Sequence, residues 1–400
     1  MKVLFLGRGT LFPADSGARR RTLNILRELA KWHDITYLCR ISIDESETLC
    51  SMQGLGIRVE GVPCRGAASA SARSYIDITK SLVCRYPFCV QREFSPDLHH
   101  RAAELLLGEN YDLLVCNFVQ MARNVPLLHG CRKILLQHNV EADMLRERSL
   151  ATRRWLRRQF LDIEWRKMAA FEAEVGSQFD AVVTESEQNR RRFQEIYGWR
   201  HVLAIDTAVD VDYLRPQPTD NSDVRVVFLG SSDSRANEDG AAFFVEQIWP
   251  KILRAVPHAI FEVVTRNATQ LQNAIGNRPS VLVTGSDSDI RPYLADATVV
   301  VMPVLVGAGV RTRIFEAMAS AKPVVSTSLG AEGISAENGK HLLIADWSQT
   351  FADAVIKLLE NVSFRRQIGQ AARDFVVSRY RAEIVASDFE RTCLNVIASG

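Results

Sequence analysis

The chain has 400 residues, more than the ~250–300 at which a single hydrophobic core usually stops growing, so its length predicts two domains. Hydrophobic residues make up 47% and charged residues 24%, the balance of a globular protein, and the sequence has no apolar run near the ~20 residues that span a bilayer. The net charge of +2, basic in the first half and acidic in the second, is too small and diffuse for a nucleic-acid-binding surface, so no nucleic-acid partner is expected.

The first half alternates short apolar runs with amphipathic stretches, a pattern typical of a parallel sheet with crossover helices. Strands are predicted at VLFLG, DITYLC, DLLVCN, KILLQH and AVVTES. Helices are predicted at residues 19–33, over PDLHHRAAELLLG and over one long stretch from about 142 to 178. The opening MKVLFLGRGTLFP has too short an apolar run for a signal peptide, so it predicts a buried first strand and a cytoplasmic protein.

The first glycine turn, GRGTLFPADSG, matches a dinucleotide-binding fingerprint only as far as G-x-G, because Phe12 stands where the third glycine would be. No G-x-x-x-x-G-K-[ST] occurs, which argues against a nucleoside triphosphatase. The eight cysteines form no C-x-x-C pair, so they predict neither a zinc site nor a disulfide framework. The two D-x-D strings, which begin at Asp210 and Asp287, are interpreted as Asp-rich turns, which are far commoner than metal sites. The sequence therefore predicts no cofactor and no metal.

A polar, proline-containing stretch at 214–223, LRPQPTDNSD, predicts a linker between two halves of similar size. After it the strand pattern restarts at VRVVFLG and continues with AIFEVVT, SVLVTG, TVVVMP, KPVVST and KHLLIA. Residues 351–398 are predicted to be helical throughout, with a buried stripe of Phe351, Val355, Leu358 and Leu359. We therefore predict an α/β fold of two Rossmann-like, doubly wound domains that face a central cleft. The predicted parts are a first domain at 1–206, a linker at 207–223, a second domain at 224–380, and a C-terminal helix at 381–400 that can pack back on the first domain.

The stretch GAGVRTRIFEAMASAKPVV, residues 307–325, places two glycines and two arginines directly before a helix. Gly307 and Gly309 would let the backbone approach a ligand closely, and the N–H groups of a helix start favour an anion. Arg311 and Arg313 would add charge-assisted hydrogen bonds to a phosphate, and Glu316 could accept from vicinal hydroxyl groups such as those of ribose. This combination describes a site for a nucleotide diphosphate. The alternative is a strand-to-helix turn in which Glu316 pairs with a nearby arginine.

The segment MPVLVGAGVRTRIFEAMASAKPVVST closely resembles the donor-site segment of retaining GT-B glycosyltransferases of family 4 (glycosyl transferases group 1). Members commonly read P-x-x-x-G-x-G-T-R-x-K-I-L-E-A-M-A-x-G-K-P-V-V-S-T. The resemblance extends over nearly the whole chain, through PADSGARRRTLNILRELAKWHDITYLC, LLQHNVEADMLRER, FDAVVTESEQNRRRF, AVDVDYLRP, FLGSSDSRANEDGAAFFVEQIWPKI and VTGSDSDIRPYLADATVVV. It implies transfer of a sugar from a nucleotide diphosphate sugar to an acceptor hydroxyl, with retention and without a metal.

The resemblance also implies which residues bind the substrates. The second domain would hold the donor through Gly230, Ser231, Val283, Thr284, Gly285, Gly307, Ala308, Gly309, Val310, Arg311, Arg313 and Glu316. The first domain would bind a glycan, a lipid-linked molecule or a small molecule as acceptor through Gly17, Arg20, His138 and Glu141. The residues predicted to be catalytic are His138, Arg311 and Arg313.

His138 ends the strand KILLQ, and a strand-end histidine is by itself more often structural, so its place near the transferred sugar comes from the resemblance alone. Glu141 can alternatively cap the following helix. Ser186, which follows the strand AVVTE, is predicted to be the N-cap of a helix.

The chain departs from the family pattern at two places. Many members carry E-x7-E, in which Glu316 would be the second acid, but Ala308 stands at the position of the first, as in a branch of the family with G-x-G-x-R-x-[KR]. The cations that usually follow the first strand of the second domain are not evident in GSSDSRANEDG, so Arg311 and Arg313 are expected to supply that charge. Two alternatives stay open: a sugar-nucleotide epimerase or hydrolase of the same fold, and a non-catalytic partner protein with a decayed donor site.

Residues 146–167, RERSLATRRWLRRQFLDIEWRK, mix many arginines with aromatic residues. One interpretation is a solvated basic helix packed on the first domain, with Trp155 and Trp165 in its core. The other is a weak, salt-sensitive peripheral contact with the inner face of a membrane, because anionic lipid attracts each such cation by about 1 kcal/mol near the surface. The cations in question are Arg153, Arg154, Arg157 and Arg158.

Overall fold

The computed structural model describes residues 1–14, 16–42, 46–63, 81, 84–128, 130–152, 154–218, 223–230, 235–265, 268–285, 289–307 and 309–399, without the side chains of residues 46–48, 235–237, 270 and 274. The chain forms two compact units. The first comprises Met1–Pro13, Ile25–Asp206 and Ala386–Gly400, and the second comprises Ala14–Asn24 and Thr207–Val385. Residues 14–24, which the sequence assigns to the first domain, and the predicted linker from 207 onward therefore group with the second unit.

The first unit is built on a seven-stranded parallel sheet with the order β3-β2-β1-β4-β5-β6-β7. Its strands are β1 (Lys2–Leu6), β2 (Asp34–Ile41), β3 (Arg58–Pro63), β4 (Leu113–Asn117), β5 (Arg132–Leu136), β6 (Ala181–Thr184) and β7 (Val202–Ala204). Its helices are α1 (Gly17–Leu29, which begins in the second unit), α2 (Ser46–Gln53), α3 (Phe88–Glu93), α4 (Pro96–Gly108), the short 3-10 helix Val119–Asn124, α5 (Glu141–Ala151), α6 (Trp155–Gly176) and α7 (Glu187–Tyr197). Central strands such as β4 are buried along their whole length, as expected for parallel strands covered on both faces.

The second unit is built on a six-stranded parallel sheet with the order β10-β9-β8-β11-β12-β13. Its strands are β8 (Arg225–Leu229), β9 (Ile260–Thr265), β10 (Val281–Gly285), β11 (Val299–Met302), β12 (Val324–Ser326) and β13 (Leu343–Ile344). Its helices are α8 (Arg235–Phe243), which continues as a π-helical turn (Phe244–Ile248), α9 (Trp249–Ala255), α10 (Ala268–Ile275), α11 (Arg291–Asp296), α12 (Thr312–Ala319), α13 (Ser348–Glu360), α14 (Val362–Arg379) and α15 (Ala382–Ala398), which ends in the first unit. The predicted stripe of Phe351, Val355, Leu358 and Leu359 is buried in its core.

All the strands predicted from the sequence are present, whereas β3 and β7 lie outside the predictions. Both are edge strands of the first sheet: β3 contains a glycine and a proline, and β7 has only three residues. An edge strand has a neighbouring strand on one side only. A short edge strand, or one interrupted by glycine and proline, therefore contains few apolar residues and is hard to recognise in the sequence.

The helix predicted from 142 to 178 is in fact two helices, α5 and α6, that pack against each other. The buried hydroxyl of Ser149 donates to Oδ1 of Asp162 at 2.6 Å and ties the end of the first helix to the second. Thr152 and Arg154, on either side of the break, have extended backbone conformations. The region 351–398 is likewise three helices rather than one continuous stretch.

Candidate functional site

The loop between β11 and α12 carries the two glycines of the predicted phosphate site. Gly307 has a φ of 103° and Gly309 a φ of 102°, values that favour glycine because it has no Cβ atom. Helix α12 begins at Thr312, and the side chain of its N-cap residue, Arg311, makes no capping hydrogen bond within the described residues. The N–H group of Ile314 donates to the carbonyl oxygen of Arg311 at 3.0 Å, so the N–H groups of Thr312 and Arg313 are the ones at this helix start that can bind an anion. Ala308, between the glycines, lies outside the described residues.

The carboxylate of Glu316 lies in the interior of the second unit beside two guanidinium groups. Its Oε2 atom accepts a hydrogen bond from Nη1 of Arg313 at 2.9 Å, and its Oε1 atom lies 2.7 Å from Nε of Arg20. Burying an ion costs several kcal/mol, and the pairing with the buried Arg313 and the partly exposed Arg20 offsets this cost for Glu316. The pairing of Glu316 with a nearby arginine, which was the alternative to a nucleotide site, is therefore present. A carboxylate has about four acceptor positions, so the pairing does not exhaust its capacity for hydroxyl groups.

Helix α1 begins beside the start of α12. A Cβ atom at Gly17, the first residue of α1, would lie only 2.6 Å from Oγ1 of Thr312, the first residue of α12, so a larger residue would displace Thr312. Each helix start carries roughly half a positive charge, and the two adjoining starts concentrate positive potential near Arg20. Gly17 and Arg20, predicted to bind the acceptor, thus lie in the second unit with the predicted donor residue Glu316, whereas His138 belongs to the first unit.

The two arginines predicted to be catalytic have different surroundings. Arg313 is buried and pairs with Glu316. The Nη2 atom of Arg311 donates to the carbonyl oxygen of Gly307 at 2.6 Å, so this guanidinium group braces the glycine loop. Val310, which lies between Gly309 and Arg311 in the sequence, packs against the hydrophobic core of the second unit. The structure therefore brings Arg313 and Glu316 together, and it places Arg311 on the loop that precedes them.

The remaining predicted donor residues lie at the carboxyl ends of strands of the second sheet, the edge at which open α/β sheets bind ligands. Val283, Thr284 and Gly285 form the end of β10, and Gly230 directly follows β8. The hydroxyl of Thr284 donates to Glu262 at 3.0 Å, which fixes its orientation. The loop with Gly307 follows β11 at the same edge, while Ser231 lies outside the described residues.

In the first unit, His138 follows β5 and is buried beside a carboxylate that sequence reasoning missed. Its Nδ1 atom lies 3.0 Å from Oε2 of Glu185, the residue that follows β6, so the carboxylate orients the imidazole ring. The ring of Phe118 lies 4.8 Å from the imidazole centroid. Phe118 has a φ of 81°, a strained conformation for a residue with a Cβ atom, and strain of this kind collects at functional sites.

Helix α5, which begins at Glu141, is capped by Glu172 from α6. The backbone N–H groups of Glu141 and Ala142 donate to the buried Glu172 carboxylate at 2.9 and 3.1 Å, and Gln137 and Tyr197 donate to it as well. Burial and the neighbouring Glu141 raise the pKa of Glu172 to about 8. Burial also raises the pKa of Glu141. The capping alternative for Glu141 is therefore wrong, because Glu172 occupies that position.

Glu185 and Glu172 were not predicted, and the sequence indicates the two residues to different degrees. Glu185 stands at a strand end, directly before Ser186, and a carboxylate there, paired with a histidine at the next strand end, could have been predicted. Ser186 is confirmed as an N-cap, since its Oγ atom accepts from the N–H group of Asn189 at 3.1 Å. Glu172 gives no signal, because it is one of several charged residues in a long helix.

The Asp-rich strings form turns and surface ion pairs in the described residues. Asp210 accepts from the N–H group of Tyr213 at 3.0 Å, and Asp289 pairs with Arg291 at 2.7 Å, while Asp287 lies outside the described residues. No group of three or more His, Cys, Asp or Glu side chains that could hold a metal ion occurs in the part of the chain that the structure describes. That part also contains no helix with the length and apolar character needed to cross a membrane.

Comparison with known proteins gives a family match within the second unit and structural matches to the fold. Residues 223–361 match the family model of glycosyl transferases group 1. A protein of Klebsiella pneumoniae, described as an uncharacterized 44.6 kDa protein in the cps region, is 24% identical over 306 residues, which cover 72% of this chain and 75% of that protein.

Two solved structures illustrate the likeness in fold. HepE of Anabaena, in complex with UDP and glucose, has a TM-score of 0.67 at 15% identity and covers 98% of this chain and 99% of its own. Sucrose-phosphate synthase from Thermosynechococcus elongatus has a TM-score of 0.72 at 14% identity over 100% of both chains. The predicted α/β fold with two Rossmann-like sheets is confirmed, and it is the fold of GT-B proteins. The family match in the second unit and the shared fold together support a glycosyltransferase.

Proposed function

We propose that the chain is a retaining, metal-independent glycosyltransferase of family 4 that moves a sugar from a nucleotide diphosphate sugar to an acceptor hydroxyl. The meeting of two helix starts with Arg20, Arg313 and Glu316 in the second unit carries this proposal. Backbone N–H groups, helix dipoles and guanidinium groups are the features that bind a diphosphate. Structures of HepE hold UDP or UDP-glucose, which supports a nucleotide-sugar donor for this chain as well.

In this proposal the bond between the anomeric carbon and the diphosphate breaks, and negative charge builds up on the departing phosphate oxygen. The N–H groups at the start of α12 and the guanidinium groups of Arg20 and Arg313 would stabilise that charge. The loss of one such preorganised donor typically costs an enzyme about 2.7–4 kcal/mol of transition-state stabilisation. The departing oxygen also takes the proton of the acceptor hydroxyl, so the reaction needs no carboxylate nucleophile and is compatible with Ala308 in place of an acid.

His138 and Glu141 would serve the acceptor side of the reaction. Because Glu185 engages Nδ1 of His138, the ring presents Nε2 as its second hydrogen-bonding atom. The raised pKa of Glu141 favours a carboxyl group that stays protonated to a higher pH than usual, and such a group can donate a hydrogen bond to a sugar hydroxyl. Either residue can therefore contribute to acceptor binding without acting as a nucleophile.

Release of nucleoside diphosphate from a panel of sugar nucleotides, measured with and without an acceptor extract, distinguishes the proposed transferase from its alternatives. Acceptor-dependent release supports the transferase. Conversion of the sugar nucleotide without acceptor would instead indicate an epimerase or hydrolase. If the protein binds the sugar nucleotide tightly but releases no nucleoside diphosphate, with or without the acceptor extract, the donor site is decayed and the proposal is contradicted.

We also propose peripheral contact with anionic membranes through the turn between α5 and α6. The interpretation of a basic helix packed on the first domain, with Trp155 and Trp165 in its core, is wrong for Trp155, which is 70% exposed, whereas Trp165 is half-buried. Leu150 and Leu156, near Trp155, are exposed as well. Three exposed arginines accompany them, Arg154, Arg157 and Arg158, while Arg153 lies outside the described residues.

Flotation with neutral and anionic vesicles at low and high salt tests this contact. Anionic vesicles should bind the protein at low salt only, and Trp155→Ala should weaken the binding. Trp32→Ala is the matched control, because Trp32 is also a highly exposed tryptophan of the first unit. If the protein ignores anionic vesicles at low salt, or if the two variants behave alike, the proposed membrane contact is wrong.

A further inference from the structure

Three arginines surround one buried glutamate in the first unit, outside the residues predicted to bind substrates. Glu93, the last residue of α3, is buried. Its Oε1 atom lies 2.8 Å from Nε of Arg8 and 3.7 Å from Nε of Arg92, and its Oε2 atom contacts Nη2 of Arg40. We call these four residues the Arg8 cluster. Three cations against one carboxylate give the cluster a net charge of +2.

The cluster lies at the carboxyl edge of the sheet, the edge that also carries His138. Arg8 follows the end of β1, and Arg40 is near the end of β2. The N–H group of Gly7 donates to the carbonyl oxygen of Leu38 at 2.9 Å, which extends the pairing of β1 with β2 and sets Arg8 beside Arg40. In the other direction the sheet order is β1-β4-β5, and β5 leads into His138. With about 4.8 Å between neighbouring strands, the backbone segments that carry Arg8 and His138 are separated by two strand spacings, or roughly 10 Å.

The members of the cluster differ in exposure, and this difference separates a structural role from a binding role. Arg40 is largely covered and also donates to the backbone carbonyl of Arg92 at 3.3 Å, so it suffices to neutralise Glu93 and hold α3 to the sheet. The side chains of Arg8 and Arg92 are 56% and 60% exposed. Exposed ion pairs contribute only about 0–1 kcal/mol to stability, so stability gives little reason for a second and third arginine.

We infer that the Arg8 cluster is a subsite for an anionic group of the acceptor, a phosphate or a carboxylate held about two strand spacings from the hydroxyl that receives the sugar. The inference rests on the proposed function, because it names the chemical class of the acceptor. Guanidinium groups bind both anions through paired, charge-assisted hydrogen bonds.

Electrostatics link the cluster to the residues around His138. The positive charge of Arg8 acts to lower the pKa of Glu141, against the larger effect of burial, so Arg8 is close enough to act on the start of α5. The side chain of Gln120, from the 3-10 helix that follows β4, hydrogen bonds to the same Glu141 carboxyl. One continuous polar edge therefore runs from the Arg8 cluster to Glu141, and a sugar with an anionic substituent could lie along it.

Three small probes that share a sugar ring test the subsite in the full chain: methyl glucoside, which is neutral, methyl glucuronide, which carries a carboxylate, and glucose 6-phosphate. Their dissociation constants are measured by ligand-observed NMR at low salt in the presence of UDP, so that the proposed donor site is not available to the anions. We expect at least one charged probe to bind ten or more times more tightly than methyl glucoside. The charged probe that binds more tightly then shows whether the subsite prefers a carboxylate or a phosphate.

The double variant Arg8→Gln/Arg92→Gln should remove the preference for the charged probe, and thermal melting checks that the variant remains folded. Arg40 and Glu93 stay unchanged, because a buried Glu93 without a cation would destabilise the unit. Arg58→Gln is the matched control. This half-exposed arginine is the first residue of β3, so it lies at the amino ends of the strands, away from the Arg8 cluster, and it pairs with Glu60 and Glu109.

Equal affinities for the three probes in the unaltered protein, including no detectable binding of any, would overturn the inference. So would a charge preference that survives in the double variant or disappears in the Arg58 control. The same samples report on UDP binding, which separates the two proposals. A protein that binds UDP but shows no charge preference loses only the acceptor inference. If UDP does not bind, a panel of the other nucleoside diphosphates follows, and failure of all of them to bind counts against the donor site itself.

Discussion

Replacing Glu316 with glutamine would separate two roles of this carboxylate. Glu316 holds Arg313 at 2.9 Å and Arg20 at 2.7 Å, and it is proposed to accept from the hydroxyl groups of the donor ribose. Glutamine keeps the volume of the side chain but offers one uncharged acceptor, and its NH₂ group would face one of the two guanidinium groups. A hydrogen bond with a charged partner contributes roughly 1.5–3 kcal/mol, against roughly 0.5–1.5 kcal/mol for a neutral one.

These magnitudes predict two separate losses in the Glu316→Gln variant. The free energy of unfolding should fall by about 2–4 kcal/mol, because the buried pair with Arg313 and the partly buried pair with Arg20 are weakened at once. The affinities for UDP and for uridine should both fall by about 1.5–3 kcal/mol, or roughly 10- to 150-fold, because both ligands carry ribose. Inorganic pyrophosphate has no ribose and should bind at least as well as before, since the released guanidinium groups can turn towards it.

Titration calorimetry with UDP, uridine and pyrophosphate, together with thermal melting, measures all of these quantities on one preparation. Glu337→Gln serves as the control, since Glu337 is an exposed residue of the same unit that pairs only weakly with Lys340 at 3.3 Å. Unchanged affinities for UDP and uridine would refute the ribose assignment and leave Glu316 as a support for the arginines. An unchanged melting temperature would mean that the two ion pairs contribute nothing to the fold.

Four further variants probe the arginines, the histidine and the buried helix cap. Arg313→Ala should weaken the affinity for UDP by roughly 1.5–3 kcal/mol and spare that for uridine. Arg311→Ala, which removes the hydrogen bond to the carbonyl oxygen of Gly307, should weaken UDP binding less. Calorimetry that finds equal losses of UDP and uridine affinity for Arg313→Ala would make Arg313 structural. His138→Ala should lower turnover at least tenfold with unchanged UDP affinity, and a loss confined to UDP affinity would contradict its role. The pKa of Glu172, raised from 4.5 to about 8, means that the folded protein keeps a proton that the unfolded chain has lost, so the free energy of unfolding should fall as the pH rises between these values. Glu172→Gln should flatten that slope in denaturant titrations, and an unchanged slope would place the ionisation elsewhere.

The interior strands and the glycine loop could be predicted because local sequence encodes them. The apolar runs of β4 and β11 are long enough to indicate buried strands, and Gly307 and Gly309 both adopt positive φ values. The break between α5 and α6 could not be predicted in the same way, since no proline or glycine marks it. A hydrogen bond from Ser149 to Asp162 joins the two helices, and such a contact depends on how they pack rather than on neighbouring residues.

The partners of the candidate site were the hardest part to predict. Arg313 and Glu316 are one helical turn apart, so their pairing follows from local geometry. Arg20 reaches the same carboxylate from a helix far away in the sequence, and nothing in its local pattern separates it from the arginines on either side. The Glu172 cap on Glu141 is equally non-local, because it forms only when α5 and α6 pack together.

The sharpest test of the proposed donor site is the position of a bound nucleoside diphosphate in a crystal of the full chain grown with UDP. We expect the diphosphate at the adjoining starts of α1 and α12, with its oxygen atoms about 3 Å from the first N–H groups of α12 and from the guanidinium groups of Arg20 and Arg313. The ribose hydroxyl groups should then lie against Glu316. A diphosphate bound elsewhere in the protein, with Arg20 and Arg313 paired to Glu316 and not to the diphosphate, would contradict the proposed site.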